Sequence, residues 1–185
     1  MNNQLSLSGT RLRVGDLLPL GPGNAAVAAG DANTAMALRL LHEALLLARR
    51  VASRSEAEYC MALRMPSPVL AAAALEHANG ARVQADALGA RILALGGTPA
   101  ASTVAEVPLL SPDPRDTHSL VAVIGCHLVA AHASIESYRQ IATLMEPCDR
   151  ATQMLLEGIV SGEEQRASQL AALLEQASAR RARNA

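Results

Sequence analysis

The segment Leu70-Ala-Ala-Ala-Ala74-Leu75-Glu76-His77-Ala-Asn79-Gly80-Ala81-Arg82-Val83-Gln84-Ala85-Asp86-Ala-Leu88-Gly-Ala-Arg91-Ile92-Leu93-Ala-Leu95-Gly96-Gly97 decides the fold. Leu70, Ala74, His77, Ala81, Gln84 and Leu88 recur at three- and four-residue intervals, which puts them on one face of an α-helix. The glycine pair that follows supplies a C-cap. The helix is expected from about Ser67 to Leu95, and at 1.5 Å per residue it is on the order of 45 Å long, the scale of a bundle element.

The same period continues on either side. Upstream, Leu38, Leu41, Leu45, Ala48, Ala52, Ser55, Tyr59 and Ala62 form the inward stripe of a first helix, capped near Asn33 or Thr34 and stopped at about Met65 by Pro66 and Pro68. Downstream, residues 98 to about 115 carry Pro99, Pro108, Pro112 and Pro114 without helical periodicity. That stretch is too long for an ordinary helix turn and reads as a crossover along the bundle. A third helix, from about Arg115 to Met145, turns Leu120, Ile124, His127, Ala131, Ser134, Tyr138 and Ile141 inward. Glu146-Pro147-Cys148 makes the next turn. A fourth helix, from about Asp149 to Ala177, turns Leu156, Ile159, Glu163, Arg166, Leu170 and Leu173 inward. These patterns predict an all-α, antiparallel four-helix bundle with one long crossover between the second and third helices. Residues 1–32 are expected as a flexible N-terminal extension and 33–178 as the bundle. Residues 179–185 are expected as a short basic tail whose arginines complement the helix dipole. The four stripes converge on Ala48, Ala81, Gln84, Ala131, Glu163 and Arg166.

Composition supports an all-helical domain and excludes several functions. Half of the 185 residues are hydrophobic, yet Tyr59 and Tyr138 are the only aromatics, and alanine and leucine dominate at the expense of strand formers. The length suits one domain with a sizeable core. All sixteen cationic residues are arginine and the net charge is −1. No basic stripe with interleaved aromatics is present, so nucleic-acid binding lacks both of its usual components. A charged fraction of 18% is low for a monomer and predicts that other subunits cover apolar helix faces. Cys60, Cys126 and Cys148 are widely spaced and suit reduced thiols better than a disulfide framework or a zinc site. The start, Met1-Asn-Asn-Gln-Leu-Ser-Leu-Ser8, lacks a cationic and apolar signal pattern, and no uninterrupted apolar run of membrane length is apparent. A cytoplasmic location is expected.

Local sequence narrows the architecture further. Leu40-Leu-His42-Glu43-Ala-Leu45, Leu75-Glu76-His77-Ala-Asn79, Ala85-Asp86, Arg91-Ile-Leu-Ala-Leu-Gly-Gly-Thr-Pro99, Ile135-Glu136-Ser-Tyr138-Arg139, and Glu163-Glu164 followed by Leu173-Leu174 resemble stretches of bacterioferritins and related bacterial ferritin-like proteins. The resemblance covers about residues 36 to 176. It implies a di-iron centre built from one Glu on the first helix, Glu-x-x-His on the second, one Glu on the third and Glu-x-x-His on the fourth. Carried over, these positions fall on Ala48, on Ala81 and Gln84, on Ala131, and on Glu163 and Arg166. Only Glu163 keeps its type.

An alanine offers no lone pair, and one carboxylate beside a permanent cation cannot hold two iron ions. The expectation is therefore a degenerate site without catalytic or metal-binding residues, and a core neutralised by Glu163 with Arg166, three residues apart on one helix, with Gln84 sharing hydrogen bonds. No haem is expected, because Arg82 stands where haem-binding relatives carry a methionine ligand. No cofactor is predicted, and iron lacks a ligand set. The expected partners are the chain itself and an active ferritin-like subunit. The implied role is that of a non-catalytic structural subunit linked to iron storage and homeostasis.

Two alternatives use other residues. His77, His127, Glu163 and the cysteines are the candidates for a replacement metal site, whereas His132 lies five residues from His127 and points to another face. Leu12-Arg-Val-Gly-Asp-Leu17 alternates apolar residues around a glycine, as in a short strand or docking segment, and is similar to the tags that seat cargo inside encapsulin shells. That similarity implies an encapsulated interaction protein that no longer forms a cage.

Overall fold

A computed structural model of the chain describes residues 22–65, 67–100 and 117–184. Its elements are α1 (Pro22–Ala62), α2 (Pro68–Ala94), α3 (Thr117–Met145) and α4 (Arg150–Asn184), with no strand among the described residues. The chain is an all-α four-helix bundle. It divides into two compact units, Met1–Ala32 and Asn33–Ala185, and the packed core described below belongs to the second. The tag-like segment at Leu12–Leu17 and residues 101–116 of the expected crossover lie outside the described residues.

Two helix boundaries differ from the sequence expectation. The first helix starts at Pro22 and not at Asn33 or Thr34. Proline at a first helical position loses only an amide that has no partner there, and the alanine-rich residues that follow favour helix. The fourth helix runs on to Asn184, so the expected basic tail is helical, with Arg181 and Arg183 in its last turn beside the negative end of the dipole.

The turns have clear local causes. Pro68 opens α2 behind the N-cap Ser67. At its other end Gly96 adopts φ 79°. The Gly97 amide then donates to the Ile92 carbonyl at 2.9 Å and the Gly96 amide to that of Leu93 at 2.9 Å, a Schellman closure. A Cβ on Gly97 would lie 2.6 Å from Leu38 Cδ2, so this turn also needs glycine for close packing against α1. Beyond it, His42 Nε2 contacts the Thr98 carbonyl at 3.0 Å and Arg49 donates to that of Ala100, which ties the start of the long connection to α1.

Asp149 caps α4. Its Oδ1 accepts from the Ala151 amide at 3.2 Å, and Arg91 of α2 reaches its Oδ2 at 2.6 Å. The same Arg91 donates through Nε to Thr152 Oγ1 at 3.0 Å, so one guanidinium joins the C-terminal end of α2 to the start of α4.

The bundle interior is layered along its axis. One apolar cluster joins Leu40, Leu41, Leu45, Leu88, Ile92, Tyr138, Met145 and Leu156. A second joins Met65, Leu70, Val123, Ile124, Ile135 and Leu170. Each fully buried leucine adds roughly 1.5–3 kcal/mol of hydrophobic stabilisation, so these clusters hold the bundle together. Between them, Ser55, Glu58, His77, Ser134 and Glu163 are buried polar residues.

Among the described residues one helix segment, Leu120–Met145 of α3, is long and apolar enough to cross a membrane by length and composition. Glu136 and Arg139 interrupt it, in keeping with the sequence expectation of no uninterrupted apolar run of that length. Its buried stripe packs in the bundle, while Val129 and Leu144 on its other side are exposed.

Burial acts to raise the Asp149 carboxyl, but Thr152, Arg91 and the Ala151 amide outweigh it and hold the group below its ordinary 3.8. The ionised cap therefore stabilises the fold above that pH, and its contribution is lost as pH falls through the lowered folded value. Replacing Asp149 with Ala is expected to cost about 1 kcal/mol at pH 7 in urea denaturation, with the deficit shrinking once the cap is protonated in acid. An equal deficit at pH 7 and pH 2.5 would rule out the charged cap as its source.

Candidate functional site

Glu163 stands at the middle of α4 with 0% exposure. Its nearest charged or titratable partner is not Arg166 but His77 of α2, whose Nε2 lies 3.4 Å from Glu163 Oε2. Arg166 Nε is 3.9 Å from the same oxygen, so the expected Glu163–Arg166 neutralisation is present only as a long contact. Gln84 faces the carboxylate and favours its charged form, as expected, yet neither Glu163 oxygen receives a hydrogen bond of normal geometry.

The helices bring a second pair to the same level. His127 Nε2 of α3 lies 3.4 Å from Glu58 Oε1 of α1. Both pairs line one small cavity of about 10 Å³, together with Arg54, Ser55 and Ser134. An adjoining cavity of about 20 Å³ is bordered by Glu58, His77, His127 and Arg166. Each helix thus contributes one acidic or imidazole side chain: Glu58, His77, His127 and Glu163.

Ser55 Oγ lies 2.9 Å from both the Val51 carbonyl and His77 Nδ1. Its one hydrogen serves either of them: given to Val51, it leaves the ring proton on Nδ1 and a lone pair on Nε2; given to Nδ1, it puts the ring proton on Nε2, facing Glu163. Burial, with Arg166 and Arg54 adding to it, lowers the affinity of His77 for a second proton despite Glu163. Burial would also neutralise Glu163, but His77, Arg166 and Gln84 together keep its carboxyl below the ordinary value. His77 Nε2 and the Glu163 carboxylate stand 3.4 Å apart.

The other pair is poised differently. Burial pushes Glu58 up to about 7 against the opposing effect of Arg54 and Arg166. His127 is pushed down to about 4 by burial, with Arg54 and His77 adding to it. At neutral pH Glu58 can hold a proton and offer it to His127. Tyr138, fully buried with an unpartnered hydroxyl, is held in its neutral form by burial and by Glu163.

The positions singled out from the sequence are brought to the interior together. Ala48 and Ala81 are 0% exposed, Ala131 is buried, and Gln84 and Arg166 are partly buried beside Glu163. Three of these six side chains supply no donor atom, so the set as it stands does not fit a pair of iron ions. Arg82 faces outward and pairs with Glu56 at 2.5 Å. His132 is exposed, away from His127, and Cys60, Cys126 and Cys148 are free thiols outside the polar layer. The sequence reading missed Glu58. The inward stripe was drawn through Ser55, Tyr59 and Ala62, although a spacing of three from Ser55 and four from Ala62 places Glu58 on that face as well.

The family model for the ferritin-like domain matches residues 66–179. The chain belongs to the ferritin-like domain family. No curated protein matches it. The matched residues hold α2, α3 and most of α4, so three of the four side chains in this ferritin-like polar layer, His77, His127 and Glu163, lie within the family match.

The raised value of Glu58 and the lowered value of His127 act in opposite directions on stability. Folding favours protonated Glu58 between its ordinary 4.5 and about 7, so its contribution falls as pH rises through that window. Folding favours neutral His127 between about 4 and 6.5, so its contribution grows as pH rises. The slopes offset each other from pH 4.5 to 6.5 in chelator-treated protein. Glu58→Gln removes one of them, and its stability is expected to climb across that window by on the order of 2 kcal/mol more than that of the parent. Parallel profiles for variant and parent in urea denaturation would contradict the opposed pair.

Proposed function

We propose that this chain is a bacterioferritin-related subunit of an iron-storage system that has given up ferrous iron oxidation and contributes structure. The single observation behind this reading is the burial of Ala48, Ala81 and Ala131 at the positions where the resembling family places carboxylate ligands. A methyl group fills the space and binds nothing. In this reading the ferritin-like fold is kept for assembly in the cytoplasm, with copies of itself or with an active ferritin-like subunit.

The outer surface supports association. Val83 and Leu93 of α2, Val129 and Leu144 of α3 and Met154 of α4 are all exposed large apolar side chains. A subunit that associates through such faces can fill positions in an assembly and alter its inner lining without oxidising iron.

The test is aerobic mixing of the purified protein with ferrous iron, followed by absorbance of the ferric product and by native mass spectrometry. The expected rate equals that of buffer alone, and the expected particle is larger than a dimer. Rapid oxidation saturating at two irons per chain would overturn the non-catalytic reading, and a stable monomer would overturn the assembly role.

A further inference from the structure

We propose that His77, Glu163, His127 and Glu58 form a binding site for one zinc-type divalent ion, shifted along the bundle from the positions of the family's iron ligands. The inference goes beyond the structural subunit role, because zinc has no redox chemistry and its binding neither requires nor supplies iron oxidation.

The first ground is the confrontation at His77. With Ser55 accepting the Nδ1 proton, His77 Nε2 has a lone pair to give a cation beside a carboxylate oxygen that is itself fully buried. Neither that nitrogen nor either oxygen of Glu163 has a hydrogen-bond partner. Buried polar atoms without partners cost folding free energy, and a cation between them turns the conflict into two bonds.

The second ground is distance. Two ligand atoms bound at about 2.0–2.1 Å in a tetrahedron lie about 3.3–3.4 Å apart. His77 Nε2 and Glu163 Oε2 are separated by 3.4 Å, as are His127 Nε2 and Glu58 Oε1. Hydrogen bonds between such groups are shorter. Each pair thus has the length of one tetrahedral edge, and the two pairs, which line one cavity, offer between them two imidazoles and two carboxylates. Among the described residues no three such groups already surround a point, so the ion draws the two edges together. The cavity of about 10 Å³ between them accommodates one water-sized occupant, and the Glu58 side chain has the rotatable bonds to close on it.

Ser55 is then a positioning residue. Its acceptance of the Nδ1 proton orients the imidazole, in the way that outer partners commonly hold a metal-ligating histidine. Arg54 borders the same cavity and Arg166 the adjoining one, and both oppose the cation. They weaken the site without supplying a competing ligand.

The experiment uses the full chain, stripped with chelator and dialysed, titrated with Zn²⁺ by calorimetry and with Co²⁺ by visible absorption. The expected result is one ion per chain and the intense bands of tetrahedral cobalt. His77→Gln and His127→Gln should each abolish these bands. Ser55→Ala should weaken binding by roughly 10–100-fold at unchanged stoichiometry, and Arg166→Gln should tighten it. Circular dichroism checks that the variants fold, and the parent titration decides the matter if they do not. Absence of a stoichiometric ion in the parent, or cobalt bands that survive both histidine replacements, would overturn the proposal. So would nitrogen NMR of the zinc-treated protein showing His77 protonated on both ring nitrogens, since a proton would then occupy the place assigned to the metal. Iron oxidation is read separately, so failure here leaves the structural-subunit reading intact and the reverse holds too.

Discussion

The ionised carboxylate of Glu163, with no exposed surface, is the constraint to which the centre of this bundle answers. Burying such a group unpaired is prohibitive, so every element packed around it must offer positive charge, a proton or a polar contact. The helix that carries it supplies Arg166, and α2 supplies His77 and Gln84. The remaining polar side chains, Glu58 and His127, reach the same level from α1 and α3. The apolar clusters above and below make this layer expensive to solvate and therefore fix its composition.

A bundle of four long helices can move a polar layer by one helical turn without disturbing its overall packing. In the proposed reading, the turn that the resembling family uses for ligands is filled by the buried Ala48, Ala81 and Ala131. One turn along α2 from Ala81 stands His77, and one turn along α3 from Ala131 stands His127. Glu163 belongs to both levels. Its carboxylate meets His77 of α2 at 3.4 Å and Arg166 of its own helix at 3.9 Å.

Much of the fold was legible because apolar periodicity is unambiguous in long helices. The stripe through Leu41, Leu45, Ala48 and Ala52 is buried as read, and the Gly96-Gly97 closure and the start of α4 at Asp149 follow from local capping chemistry. The extent of α1 and α4 was harder to read. Proline at a first helical position looks like a breaker in sequence, and an arginine-rich end looks like a tail. The centre was legible at the level of which residues face inward, His77, His127 and Glu163 among them. It was not legible in its pairings, because a contact between side chains on different helices depends on their relative height in the bundle. Sequence spacing favoured the Glu163–Arg166 pair three residues apart, whereas the structure gives His77 the shorter contact. Glu58 sits one position from Tyr59, through which the stripe was drawn, so the pattern passed it by.

The account turns on methyl groups standing where ligands would be, and anomalous diffraction at the iron edge from crystals soaked aerobically with ferrous iron tests this most directly. It predicts no pair of iron peaks among Ala48, Ala81, Gln84 and Ala131. Two bridged peaks at that level, with Glu163 as a shared ligand, would contradict it.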